Sequence, residues 1–378
     1  MKKETAAGYT AAKNIYDNGK NSAKSGGKKR AISSFGLKTS EPFGALFDKY
    51  NTEKTYLPHD LVTAALIGSD DMTYGKFGTG EIASAHAFRS QVVKKTIEFQ
   101  IVMLYALHEM EAALVKYKDA SVDATSATHA LDEWWAFYAG SLEDGKASGH
   151  STYILAEKRS KFFGTDTAVV GNGGVSEVNK ILLAATKDFK TLLQTTGNEA
   201  KLEDILKCVR AQLKVPLIQG CLQYAYKTDD RSKFPGDSTS AARKGELWAF
   251  CSGVLPFLHD VSSADAEALR READILPLDD INPDFAKIKA VFSAKNLNKM
   301  GVKCSDVGGF VDKSSAKTSA TTLGSDFAEC KDGTLSNAVA DSSKCAAFAT
   351  ASSAMRTVTG GGFCFVLAAV VAALGVTM

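Results

Sequence analysis

The chain has 378 residues, 45% of them hydrophobic, and 45 basic against 43 acidic side chains leave a net charge of +2. That length calls for two core-forming units, or one unit built of two halves. The charge balance argues against attraction to a polyanion, so nucleic acid is not expected as a partner.

In chain order, the expected organisation is an N-terminal segment over 1–58, a helical repeat over 59–195 and a second helical repeat over 196–290. A Cys-containing stalk rich in Ser, Thr and Ala follows over 291–360, then a hydrophobic tail over 361–378. The opening "MKKETAAGYTAAKNIYDNG" has two lysines but no apolar stretch after them, which places any export signal upstream of residue 1. Segment 81–118 puts Val93, Ile97, Ile101, Leu104, Leu107 and Leu114 near a 3.6-residue period with no Pro or Gly, predicting one long amphipathic helix. Further helices are predicted over 129–142, 151–163, 175–195, 201–227, 240–258 and 263–273, with Pro216 expected to kink its helix or begin a new one. Strand signals are sparse. The fold class is therefore mainly α, an internally duplicated helical bundle with a low-complexity C-terminal stalk.

The end of the chain, "GGGFCFVLAAVVAALGVTM", carries no charge from Gly360 onward, and its apolar run of about 14–16 residues is short of the roughly 20 that spanning requires. Small residues Ala351, Ser352, Ser353 and Ala354, a polar spacer and then this tail have the layout of a lipid-anchor signal that is removed. A single-pass anchor and a buried C-terminal helix are the alternatives. Cysteine usage points the same way as export: of seven cysteines only Cys364 lies in the tail, and the even remainder suits disulfides in an oxidising compartment. Cys304, Cys330 and Cys345 lie in loop-like sequence and are the better candidates, whereas Cys208 and Cys221 sit in helical pattern and read as buried thiols. No Asn-x-Ser/Thr acceptor is present.

Two stretches resemble each other. "LDEWWAFYAGSL" at 131–142 and "GELWAFCSGVL" at 245–255 share Glu, Trp, Ala-Phe and Gly in one order. Upstream, the stretches from Arg89 and Arg210 align without gaps at Arg, at Gln two residues on, at Ile97/Ile218 and at Tyr105/Tyr226. Three residues beyond each Tyr stands His108 or Asp229, and Glu133 and Glu246 are equivalents in the later block. Internal duplication follows. Tyr138 in the first copy is Cys251 in the second, so the halves cannot carry identical ligand sets: either one half has a weakened site, or one ion serves both.

Phenolate, carboxylate and imidazole are hard donors, and Fe(III) favours anionic oxygen. Arg offers a planar fork that holds a small oxyanion in bidentate fashion. Tyr105, His108 and Glu109 fall at i, i+3 and i+4 and so share one helical face. The competing reading is structural: the Tyr residues, Trp135, Trp248, Phe137 and Phe250 as core, and Arg89 and Arg210 in ion pairs. Catalytic signatures are absent or weak. There is no His-Glu-x-x-His and no Gly-x-Ser-x-Gly; "GSLEDGK" at 140–146 has Ala147 where a phosphate loop needs Ser or Thr, and "VVGNGGVSEVNK" at 169–180 reads as a helix start. The expectation is a binding protein, not an enzyme.

"NIYDNGKNSAKSGGKKR" at 14–30, "HDLVTAALIGS" at 59–69, "LDEWWAFYAGSLEDG" at 131–145, "STYILAEKRSKFF" at 151–163 and "GELWAFCSGVLPFL" at 245–258 resemble the algal iron-assimilating, or low-iron-inducible periplasmic, proteins, which are similar to the phytotransferrins. The resemblance covers roughly residues 10–290. It implies a secreted, periplasmic or cell-surface protein that captures Fe(III) together with (bi)carbonate when iron is scarce, passing it to an uptake receptor, ferrireductase or permease. Joined to the duplication, it gives a candidate ligand set of Tyr105, Tyr226, His108, Asp229, Glu133 and Glu246, with Asp132 and Tyr138 in reserve. Arg89 or Arg210 would hold the anion. The rivals are a surface-anchored structural or adhesive helical protein, and a bicarbonate-binding surface factor without iron.

Overall fold

The computed structural model describes residues 5–51, 57–68, 72–73, 79–80, 86–140, 150–169, 172–229, 241–273 and 282–309. The expected stalk beyond residue 309, the hydrophobic tail and the 141–149 loop lie outside the described residues. Helices account for nearly all of the rest, as the sequence predicts: α1 Ala6–Asn18, α2 Pro42–Tyr50, α3 Leu57–Ile67, α4 His86–Thr96, α5 Val102–Lys118, α6 Ala124–Ala139 and α7 Thr152–Phe163. After them come α8 Glu177–Leu192, α9 Glu199–Thr228, α10 Ala241–Val261, α11 Ser263–Ala273, α12 Phe285–Val291, α13 Ala294–Lys299 and α14 Cys304–Val307. Two small antiparallel hairpins interrupt them, β1 Met72–Thr73 with β2 Thr79–Gly80, and β3 Asp166–Val169 with β4 Asn172–Ser176.

The chain divides into two compact units that are discontinuous in sequence. Among the described residues, the first takes in those up to Tyr105 together with Leu217–Phe292, and the second takes in Ala106–Pro216 and residues 293–309. Each unit therefore owns one part of the α4–α5 helix and one part of α9.

In the first unit the central element is α10, buried without a break from Lys244 to Leu258 and packed on α2, α4 and α11. A helix apolar all round belongs inside a core. Phe250 stacks on Phe99 and on Tyr224, with centroids 5.3 and 5.5 Å apart, while Phe257 receives Phe43 and Phe47 from α2. Gly220 lets α9 come this close: a Cβ there would stand 2.5 Å from the Phe250 ring. One residue on, Cys221 is bonded to Cys251 of α10, and Cys208 and Cys304 are disulfide-bonded as well. The expectation that Cys208 and Cys221 are plain thiols is therefore corrected: a helical pattern does not reveal that two helices lie close enough, here with Cα atoms 4.7 Å apart, to be bridged.

The long helix predicted over 81–118 is present from His86 to Lys118, but Ile97–Ile101 forms a π-helical turn in its middle. Pro216 does not break α9, which runs unbroken from Glu199 to Thr228. The proline forfeits one ladder bond, and its neighbours Val215, Leu217 and Ile218, all at most 1% exposed, hold the helix in place.

In the second unit, α6 starts on an Asp123 cap and ends at Gly140, and α7 starts on a Ser151 cap and ends at left-handed Gly164. The segment read as a helix start at 169–180 does lead into one, α8 from Glu177, and the β3–β4 hairpin precedes it. Trp134, Phe163, Leu182 and Phe189 fill the core.

Candidate functional site

The candidate residues fall five to each unit. Arg89, Tyr105, Tyr226, Asp229 and Glu246 belong to the first, and His108, Asp132, Glu133, Tyr138 and Arg210 to the second.

Arg89, near the start of α4, is 6% exposed. Its Nε donates to the Ala65 carbonyl at 2.8 Å and its Nη2 to the Leu66 carbonyl at 3.1 Å, and the guanidinium lies over the Tyr9 ring at 3.9 Å. It thus satisfies last-turn carbonyls of α3 that the helix itself leaves open, with its charge at the favourable end of the dipole. Tyr105 is half-buried and stacks flat on Phe35, 4.0 Å between centroids.

Behind Phe35 sits a pair that the sequence reading did not single out. His59 Nε2 is 2.8 Å from the Phe35 carbonyl, and its Nδ1 pairs with the Tyr16 hydroxyl. A carbonyl only accepts, so Nε2 carries the proton, Nδ1 accepts, and Tyr16 donates. Burial lowers the His59 pKa from its ordinary 6.5 and raises that of Tyr16, with the charges of Asp17 and Asp60 adding to the latter. The neutral pair is self-consistent. Because the folded-state His59 value is depressed, the unfolded chain takes up that proton first, and stability is lost as pH falls below about 6.5. Thermal melts between pH 5 and 8 are expected to show this loss for the native chain and a flatter profile for His59→Gln; parallel profiles would contradict it.

Tyr226 is half-buried, its ring edge-on to Phe285 at 5.3 Å. Asp229, 6% exposed, accepts the Phe285 backbone N–H at 2.9 Å, an open first-turn donor of α12, whose N-cap is Asp284. Glu246 is buried, accepts from Arg243 at 3.1 Å and has Lys95 Nζ at 4.0 Å.

In the second unit Arg210 donates through Nε and Nη2 to the two carboxylate oxygens of Glu111, at 2.7 and 2.6 Å. The anion fork expected there is closed on a carboxylate of the same chain. His108 is half-buried on α5, three residues before Glu111. Glu133 stands 3.9 Å from His129 one turn back, and exposed Asp132 pairs with Lys190 at 3.1 Å.

Tyr138 is fully buried and donates to Asn179 Oδ1 at 2.5 Å. Asn179 Nδ2 in turn donates to Glu157 Oε1 at 2.6 Å and to the Tyr153 carbonyl at 3.0 Å, and the Ser176 N–H reaches the same Glu157 oxygen at 3.1 Å. Burial first, then the Tyr153 and Glu157 charges, push the Tyr138 pKa well above its ordinary value. Its proton is held tightly. Glu157 and Asn179 escaped the sequence reading because isolated polar residues on a helical pattern carry no periodic signal.

Among the described residues no three His, Cys, Asp or Glu side chains come together as a metal-holding group. The model of the family described as low iron-inducible periplasmic protein (Fea1) matches residues 4–243. The chain belongs to that family. The match takes in every candidate residue except Glu246, and with them Tyr16, His59, Glu111 and Glu157. No curated protein matches, and no solved structure matches. Family membership makes the protein iron-related and periplasmic in class, and among the described residues no helix is long and apolar enough to cross a membrane.

Proposed function

We propose that this protein captures Fe(III) outside the cell or in the periplasm, with (bi)carbonate as the synergistic anion, and delivers it to a receptor, ferrireductase or permease under iron limitation. It acts as a binder and not as an enzyme, held at the membrane through its C-terminal tail, either exchanged for a lipid anchor or retained as a single-pass segment. The observation that carries this reading is the family match over residues 4–243.

Among the ligand candidates, Tyr105 and Tyr226 suit the role best. Both are half-buried and both belong to the first unit, whereas Tyr138 is sealed with its proton held. Fe(III) at a phenol displaces that proton, so the metal and not the apo site supplies the drive for ionisation. Asp229, Glu246, Asp132, Glu133 and His108 complete the donor pool, and a carbonate on Arg89 or Arg210 would exchange with the carbonyls or with Glu111. Acid would release iron by protonating carbonate or a ligand.

Tyr105→Phe and Tyr226→Phe each remove one oxygen and little volume. Each is expected to lower Fe(III) affinity by about tenfold or more, equivalent to losing roughly 1.4 kcal/mol, and to bleach the iron-dependent colour. Unchanged affinity and colour in both would remove the phenolates from the site. The commitment of Arg210, Asp229 and Tyr138 to internal bonds favours a second reading, a surface-held structural helical protein. A folded sample that takes up no iron would select it.

A further inference from the structure

The charge balance of the whole chain hides a local excess. From Asn18 to Ser40 there are six cations, Lys20, Lys24, Lys28, Lys29, Arg30 and Lys38, and no Asp or Glu. Six exceeds the net +2 of all 378 residues, so the remainder of the chain is net acidic. Asp17, the first carboxylate upstream, is taken by Lys13 at 2.5 Å.

The stretch is a fixed loop and not a loose tail. Gly19 ends α1 with a φ of 68° and lies so close to the returning chain that a Cβ there would stand 2.2 Å from the Arg30 carbonyl oxygen. The Arg30 N–H donates to the Ser22 carbonyl at 2.7 Å and the Lys24 N–H to the Lys28 carbonyl at 2.6 Å, on either side of an antiparallel bridge between Ala23 and Lys29. Ser22 is 4% exposed and seats the base of this hairpin, while Ser25–Gly27 closes its tip as a 3₁₀ turn. A Cβ on Gly26 or Gly27 would meet nothing within 4 Å, so the tip stands clear of the rest of the protein. Lys20, Lys24, Lys28, Lys29 and Lys38 are all exposed.

We propose that this basic hairpin docks on anionic lipid headgroups and gives the protein a second attachment to the membrane besides its tail. Among the cations from Lys20 to Arg30 stand only Asn, Ser, Ala and Gly, with no aromatic or branched aliphatic side chain. A protein interface draws most of its energy from such anchors buried at its centre. A lipid surface needs none, because clustered Lys and Arg within a Debye length of it are attracted by charge alone. The apolar run within 361–378 is short for a full span, and a weak anchor holds stably only when a second signal such as a basic patch joins it. The proposal rests on the surface location proposed above and is independent of iron capture.

The test is co-sedimentation of the full chain with vesicles at low salt, comparing phosphatidylcholine alone with phosphatidylcholine and phosphatidylglycerol at about 3:1. The native chain should bind the anionic vesicles about tenfold or more tighter than the Lys24→Ser/Lys28→Ser/Lys29→Ser variant, and about 0.5 M salt should erase that difference. Both should bind neutral vesicles alike, through the tail. The three lysines are exposed, so the variant should keep the native circular dichroism and the native response to iron. Equal binding of native chain and variant to anionic vesicles would overturn the proposal. Lysine-dependent binding to soluble poly-glutamate with none to vesicles would overturn it too, assigning the hairpin to an acidic polypeptide. A native chain that takes up no iron yet shows lysine-dependent vesicle binding would support the proposal and sink iron capture alone.

Discussion

Removing Glu111 with Glu111→Ala is expected to destabilise the protein by about 3–5 kcal/mol. The Glu111 side chain is 10% exposed and that of Arg210 20%, and the pair is joined by two parallel hydrogen bonds between α5 and α9 of the second unit. Deleting the carboxylate leaves a guanidinium in a desolvated place with its fork unfilled, and that unpaired charge, more than the lost attraction, sets the size of the effect. Arg210→Met should cost a similar amount by stranding Glu111. The double variant Glu111→Leu/Arg210→Met should recover most of the loss, since an apolar pair of like volume has no charge to desolvate. Urea denaturation of the three variants checks this. A midpoint for Glu111→Ala equal to that of the native chain would show that the pair is solvated and dispensable. The same series bears on anion binding: if carbonate occupies Arg210, bicarbonate should stabilise Glu111→Ala more than it stabilises the native protein.

The second large effect is expected at the Cys221–Cys251 bond. The cysteines are 30 residues apart in sequence and both are fully buried. Opening a loop of that size releases chain entropy in the unfolded state worth about 2–4 kcal/mol, so the Cys221→Ala/Cys251→Ala double variant should unfold at correspondingly lower denaturant. Burial adds a kinetic consequence: a reductant reaches the sulfurs only when α9 and α10 separate, so reduction under native conditions should track unfolding. Fast reduction of the folded chain, or an unchanged midpoint in the double variant, would contradict this. Cys251 aligns with Tyr138 in the sequence comparison of the two Trp-Ala-Phe stretches; in the structure Cys251 is held by a covalent bond and Tyr138 by the Tyr138–Asn179–Glu157 chain.

The helices that periodicity could mark are those with a continuous apolar stripe. Val93 through Leu114 disclosed the long helix, but the π turn at Ile97–Ile101 left no mark in the sequence, because a one-residue slip hardly alters an apolar pattern over a single turn. α3 reads Leu57–Ile67 as apolar nearly throughout, and α1 buries only Tyr9 and Tyr16, so neither offers a 3.6-residue signal. At Pro216 no new helix begins, because the proline sits inside a continuous α9 whose neighbouring residues are packed on both sides. For the candidate site, the aligned stretches pointed to polar positions that make buried contacts in the structure. Arg89 and Arg210 occupy matching places, yet one closes on backbone carbonyls and the other on Glu111. Partner identity is a long-range property, set by elements 23 and 99 residues away, and spacing within a motif cannot contain it.

The most direct test of iron capture is an Fe(III) titration of the purified chain, with and without bicarbonate, followed by visible absorbance. The account predicts a tyrosinate-to-iron charge-transfer band that saturates, requires bicarbonate and is lost when Tyr105 and Tyr226 are both Phe. A folded sample that develops no band and retains no iron under either condition would contradict it, leaving the repeated Tyr, Arg and Trp-Ala-Phe positions as architecture alone.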